Sequence, residues 1–427
     1  MSTTQELTEI EQPPIVEKAV LVRLVLPDDR DEEVEESVEE MKRLAWTAGA
    51  DVACVVVQRR PKPCPATLVG KGKTEEILRV CDELEADMVI LDSDLSPAQG
   101  ANLEDVLGRK VVDRTQLILD IFAQRARTNE GKHQVELAQL QYMLPRLAGR
   151  GSVMRQQGGI GVRGPGEQKL EVDRRIIRHR IGRLKTELEE IKKHRRVQRR
   201  RRIEAGLGTV ALVGYTNAGK SSLLNALTGA EAFVEDKLFA TLDPTTRRCA
   251  LPSGRDIVLT DTVGFVRQLP HSLVAAFRAT LEEVNEADLL LLVADAAHPA
   301  VEDHIRAVYV VLDEIEVEGD RPILTVLNKT DIAEPRRVAQ LIRGPGRSVA
   351  VSARTGNGLD GLLEEVDRLL GKRRRRIRLR IPQQEARVVS WLHDHAHVRS
   401  QQYLDNAVIM DVEVDSEYEG RLARYVE

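Results

Sequence analysis

The run TVALVGYTNAGKSSLLNAL, residues 209–227, leaves this chain few ways to fold. A short apolar run enters a loop spaced Gly214-x4-Gly219-Lys220-Ser221, and an amphipathic helical pattern leaves it. Strand, loop and helix in that order aim backbone N–H groups and a helix N-terminus at one point, which suits a phosphate chain. The expected lining is Gly214, Tyr215, Thr216, Asn217, Ala218, Gly219, Lys220, Ser221 and Ser222. There the Lys220 ammonium faces the outer phosphates and the Ser221 hydroxyl faces their Mg²⁺. A strand that ends this way belongs inside a parallel sheet covered by helices.

The base is read further on. NKTD, residues 328–331, follows the apolar run PILTVL. A carboxylate at Asp331 accepts from both N1–H and the 2-amino group of guanine, a donor pair that adenine lacks. Asn328 is expected to hold the loop, the Lys329 stem to cover the base, and Ser352 and Ala353 of VSAR to close the pocket. DIVLTD ends on Asp261, placed to hold magnesium through water, and Gly264 three residues on is placed to sense the γ-phosphate. Between these turns, LFATLDPTTRR offers Thr241, Thr245 and Thr246 as a third ligand, and spacing leaves all three open. After Gly264, many related enzymes carry a glutamine that orients water. Here the residue is Phe265, and a phenyl ring has no group that polarises water.

The 427 residues leave room for several domains around this one. Residues 1–16 read as a disordered tail. Over 17–114, AVLVRLVLP, DVACVVVQRR, MVILD and KVVD alternate with helical patterns, which predicts a small parallel α/β domain. From 115 to 205 the period becomes helical. Leu117, Ile121, Leu137, Leu140, Leu144 and Leu147 mark one long helical region, and Ile177, Ile181, Leu184, Leu188 and Ile191 form a heptad-like seam. The simplest closure is an antiparallel hairpin around a glycine-rich loop, 149–168. The nucleotide domain then spans 206–371, and a strand–helix–strand pattern over 372–427 predicts a small α+β appendage.

Charge separates these parts more than the net of −5 suggests. Lys169–Glu204 holds fifteen Lys/Arg against six Asp/Glu, and Lys372–Arg380 holds seven basic residues in nine. The loop 149–168 has seven glycines with Arg150, Arg155 and Arg163, which suits close approach to RNA phosphates or open bases. The four cysteines form no CxxC pair, no apolar run reaches a membrane's width, and the N-terminus is polar and acidic. A cytoplasmic monomer without stable membrane insertion is expected. LVGKGKTEEIL (68–78) imitates a phosphate loop without its spacing and reads as a turn. HDHAH (393–397) lacks a metalloprotease pattern and reads as a hydrated patch near a helix end.

Taken together, GYTNAGKSS, FATLDPT and DTVGF resemble the HflX family of bacterial GTPases. DRTQLILDIFAQRARTNEGKHQVELAQLQYMLPRL and GGIGVRGPGEQKLEVDRR resemble that family's helical region and connector, so the likeness runs from about residue 18 to 370. The resemblance implies α/β architecture with GTP as substrate and Mg²⁺ as cofactor. It points to Thr241 as the switch threonine, with Thr245 second, and gives Lys220, Thr241, Gly264 and Asn217 the catalytic roles. In related GTPases an asparagine at position 217 helps seat K⁺; a loop residue bonding its own backbone is the alternative. Family members share an apolar residue where Phe265 stands, which implies slow intrinsic turnover and stimulation by the ribosome. The implied partners are the large subunit with its 23S rRNA and the 70S ribosome, not DNA. The implied action is separation of stalled or stress-damaged 70S particles. A large-subunit assembly GTPase and an ATP-dependent RNA remodeller are the alternatives.

Overall fold

Strand β1 (Glu17–Val25) is buried on both faces from Ala19 onward, as an apolar run without alternation requires. The computed structural model describes residues 17–154, 165–204, 207–229, 238–267, 283–315, 321–344, 346–404, 406–415 and 418–427. Contacts divide the chain into two compact units, Met1–Ile121 with Pro145–Val162, and Phe122–Leu144 with Arg163–Glu427.

In the first unit β1, β2 (Ala50–Arg59), β3 (Met88–Leu91) and β4 (Lys110–Asp113) form a fully parallel sheet in the order β2-β1-β3-β4. Helices α1 (Asp31–Ala48), α2 (Lys71–Leu84) and α3 (Pro97–Leu107) connect these strands. The inward stripe of α1 is Val34, Ser37, Met41 and Leu44, and Val38 is only half-buried. The 68–78 stretch is a turn into α2, its Gly70 N–H donating to Gln58 Oε1 at 2.8 Å. Asp92, at the end of β3, joins Arg23, Arg114 and Ser37 in a buried polar cluster.

The predicted single helical region is two helices, α4 (Arg114–Arg125) and α5 (Asn129–Met154). The chain breaks between them because Thr128 caps α5, its hydroxyl accepting from the Gly131 N–H at 3.0 Å. Helix α6 (Pro165–Glu204) returns alongside α5. Leu137 packs on Leu184 and Leu188, flanked by Leu140, Ile181 and Ile191. Pairings Arg195–Glu130, His133–Glu187 and Arg180–Glu136 run in opposite sequence order, the register of an antiparallel hairpin. Within the glycine-rich stretch 149–168, α5 runs to Met154 and α6 begins at Pro165, and the residues between lie outside the described ones. Arg155 and Arg163 lie outside the described residues, and Arg150 is placed only as backbone of α5.

The nucleotide domain is built on β5 (Gly208–Gly214), β6 (Thr245–Ala250), β7 (Asp256–Asp261), β8 (Leu289–Asp295), β9 (Ile323–Asn328) and β10 (Arg347–Ala350), in the order β10-β9-β8-β5-β7-β6. Only β6 runs antiparallel, against β7. Helices α7 (Lys220–Thr228), α8 (Val301–Glu314), α9 (Pro335–Ile342) and α10 (Leu359–Arg373) belong to this domain. Leu212, Leu291, Val293 and Val326 lie in one apolar core with Leu223 and Leu362; Val213, Leu290 and Leu292 lie in the other.

The appendage is a three-stranded antiparallel sheet, β11 (Arg374–Pro382), β13 (Ala407–Asp415) and β12 (His397–Leu404), with helix α11 (Ala386–His395). Strand β12 has no apolar alternation to announce it; it exists because β13 pairs with it. Helix α11 ends at His395, so His393 and His397 do not share a helical face. Instead His393 Nε2 meets Gln401 Oε1 at 2.9 Å on the neighbouring strand.

Candidate nucleotide site

The phosphate loop begins where β5 ends, at the carboxyl edge of a parallel sheet, the usual place for a ligand in such folds. Asn217 (φ 60°) and Gly219 (φ 90°) are both left-handed, which turns the chain tightly into α7. The Lys220 ammonium is buried and donates to the Gly214 and Tyr215 carbonyls at 3.0 and 2.9 Å. Burial lowers its pKa to about 8, against the opposing pull of Asp261.

Beneath the loop three oxygens converge. Ser221 Oγ lies 2.8 Å from Thr241 Oγ1 and 2.6 Å from Asp261 Oδ2, and Thr241 Oγ1 donates to the same Oδ2 at 3.0 Å. Thr245 and Thr246 instead open strand β6, where Thr246 faces Thr260. Burial pushes the Asp261 carboxyl up, while Lys220, Ser221 and Thr241 pull it back. Its second oxygen, Oδ1, is buried without a hydrogen-bond partner. Two hydroxyls and a carboxylate with an orphaned oxygen are a hard-cation donor set, so these residues fit Mg²⁺. Gly264 closes on the same cleft, where a Cβ would come within 2.8 Å of Thr216 Cγ2 and 3.1 Å of Lys220 Nζ. Only glycine lets its backbone approach the phosphate lysine this closely.

Asn328, at the end of β9, is buried and bridges two loops. Its Nδ2 donates to the Ala218 carbonyl and its Oδ1 accepts from the Ala353 N–H, both at 3.0 Å. Lys329, at φ 63°, pairs with Asp295 at 2.8 Å, which fixes the direction of its stem. Ser352 donates its hydroxyl to Asp331 Oδ1 at 2.8 Å, orienting the carboxylate. The structure thus gathers the expected residues into two clusters, phosphate and base, joined through Asn328. Ser222 lines the phosphate cleft with Thr216 and Phe239, and Asn217 sits exposed at its mouth. Tyr215 contributes its backbone; its ring stacks on His304 at 3.8 Å, and its hydroxyl accepts from the Arg267 N–H.

Phe265 answers the question its position raises. Its N–H donates to the Gly214 carbonyl and its carbonyl accepts from the Thr216 N–H, forming a bridge beside the phosphate loop. Its ring is 1% exposed and belongs to the core with Val213 and Leu292. A side chain at 265 is therefore directed into packing, not toward a γ-phosphate. We expect Phe265→Gln to lower stability by about 3 kcal/mol or more, the cost of a lost core ring plus a buried amide, without faster hydrolysis. Thermal unfolding and single-turnover rates would check this; a faster enzyme with an unchanged melting temperature would refute the packing role.

Fold and site together define a P-loop GTPase, with a phosphate loop at one sheet edge and an Asn-Lys-x-Asp loop beside it. Four family models match in sequence order. They are GTP-binding GTPase N-terminal (35–123), GTP-binding GTPase Middle Region (125–202), 50S ribosome-binding GTPase (209–329) and HflX C-terminal domain (338–426). GTPase HflX of Caldanaerobacter subterraneus subsp. tengcongensis is 48% identical over 96% of this chain and 94% of its own. That of Lacrimispora saccharolytica is 45% identical over 99% and 98%, and that of Escherichia coli 47% over 88% of each. The chain belongs to the HflX family of GTPases. Among the described residues, no helix is long and apolar enough to cross a membrane.

Proposed function

We propose that this GTPase binds the large ribosomal subunit in its GTP form, separates stalled or damaged 70S particles, and leaves when GTP is hydrolysed. The observation that carries the switch is the convergence of Ser221, Thr241 and Asp261 with the orphaned Asp261 Oδ1. These residues would hold Mg²⁺, which when bound neutralises charge on the β- and γ-phosphates. Thr241 comes from a loop, so its engagement ties the loop's position to the presence of the γ-phosphate. Lys220 exchanges two loop carbonyls for phosphate oxygens, Gly264 offers its N–H, and Asp331 with Ser352 reads guanine. We read Asn217 as helping to seat a K⁺ that would add positive charge at the phosphates, so faster turnover in K⁺ than in Na⁺ belongs to this reading.

No water-orienting side chain comes from position 265, which supports slow turnover until a partner orders the site. The partner follows from the relatives: one matching model describes a 50S ribosome-binding GTPase. The basic α6, and the arginines of 149–168, are then its RNA-facing elements, with Arg150, Arg155 and Arg163 contacting 23S rRNA phosphates. Splitting needs only that the bound form be incompatible with subunit joining; hydrolysis resets the factor.

Sucrose-gradient sedimentation of purified 70S ribosomes with the protein and a non-hydrolysable GTP analogue tests this. The expected result is fewer 70S particles, more free subunits, and the protein travelling with the large one, with little effect under GDP. Binding to precursor large particles while 70S stays intact would replace the reading with an assembly role.

A further inference from the structure

The segment bearing Thr241 is fastened at a second place. Two residues on, Asp243 reaches the start of α5, more than a hundred residues away in sequence. Its Oδ2 accepts from the Arg127 and Thr128 N–H groups at 2.8 and 2.9 Å, and its Oδ1 from the Thr128 hydroxyl. Thr128 is itself the residue that caps α5. A carboxylate there meets N–H groups at a helix start and the positive end of the helix dipole.

The fit is specific. A Cβ on Gly131 would stand 2.3 Å from Asp243 Oδ1, so the first turn of α5 leaves a socket for this oxygen. Two residues before Thr241, Phe239 is buried at φ 54° and meets Phe122 edge-on, ring centres 4.7 Å apart. A non-glycine residue keeps a left-handed backbone only where its surroundings hold it there. Phe239 and Asp243 therefore clamp the segment on either side of Thr241 to residues 122–131, while Thr241 meets Ser221 and Asp261.

We propose that Asp243 is a positioning residue for hydrolysis: through the first turn of α5 it sets where Thr241 sits, so that displacing the α5–α6 hairpin alters the phosphate site. In the GTP form the same link acts in reverse and orders the start of α5. The proposal rests on reading Thr241 as a magnesium ligand, and its test separates the two.

Asp243→Asn and Gly131→Ala, singly and together, would be compared with Thr241→Ala in the full-length protein. The measurements are Kd for GDP, Kd for a non-hydrolysable GTP analogue with Mg²⁺, and single-turnover hydrolysis. Asp243→Asn takes the charge and one acceptor from the link on the switch side, and Gly131→Ala fills its socket on the helix side without touching the nucleotide. Both should weaken the analogue about tenfold, the worth of one charge-assisted hydrogen bond, and slow hydrolysis similarly. GDP affinity should hold, which also reports an intact fold, and the double variant should add nothing to either single one. Parent-like analogue affinity and hydrolysis in Gly131→Ala would overturn the coupling. A Thr241→Ala protein that kept the parent's preference for the analogue would instead overturn the magnesium reading beneath it.

Discussion

Asp331→Asn is expected to move this enzyme from guanine to xanthine nucleotides. In the parent, Ser352 holds one carboxylate oxygen at 2.8 Å, and Arg354 stands 3.6 Å from the other. Guanine presents two donors to that carboxylate, each hydrogen bond to a charged group being worth about 1.5–3 kcal/mol. An asparagine keeps one acceptor and turns a donor toward the 2-amino group. GTP should therefore weaken by roughly a hundredfold or more, because a buried polar group is left facing its like. Xanthine carries an oxygen at that position, which the new amide can meet. Competition binding of GTP and XTP to both proteins would check this; an unchanged preference would remove Asp331 from the base pocket.

Lys220→Ala should cost about a hundred- to a thousandfold in hydrolysis, the usual effect of removing one preorganised donor from a developing anion. Single-turnover hydrolysis at saturating GTP measures this directly, and a parent-like rate would mean the phosphates lie elsewhere. The parent should also show a pH signature. Burial holds the free ammonium at about 8, and phosphate oxygens in place of carbonyls raise that value on binding. GTP binding then takes up a proton, so affinity should be level below the free pKa and fall by up to about tenfold per pH unit above it. The same linkage sets stability without nucleotide. A lysine lowered from 10.5 to about 8 binds more protons unfolded than folded, so the apo fold gains stability as pH rises through that window. Opposite slopes for binding and apo stability would mark Lys220 as their common source.

Much of this architecture was legible because its signals are local. The phosphate loop, the NKTD turn and VSAR each mark a strand end within a few residues, and the alternation over 17–114 required a parallel sheet. The rest depends on pairing at long range. Strand β12, HVRSQQYL, has no apolar face of its own and is defined by its ladder to β13. Spacing left three threonines open; only in three dimensions does Thr241 meet Ser221 while Thr245 and Thr246 enter a strand. The break at 126–128 fell in the gap between Ile121 and Leu137, which spacing alone did not read as the end of one helix and the start of another, and the carboxylate that meets it, Asp243, lies more than a hundred residues away. Its one local sign was an aspartate in a segment otherwise noted for threonines.

Asn328 gives the site a property that neither cluster has alone. One side-chain amide joins the loop that cradles phosphate to the loop that closes on the base, with 3.0 Å bonds to Ala218 and Ala353. On the proposed reading of these loops, the two ends of a nucleotide would be read through shared wiring. Guanosine and pyrophosphate, offered as separate fragments, should each improve the other's binding, because whichever arrives first stiffens a hinge that both use.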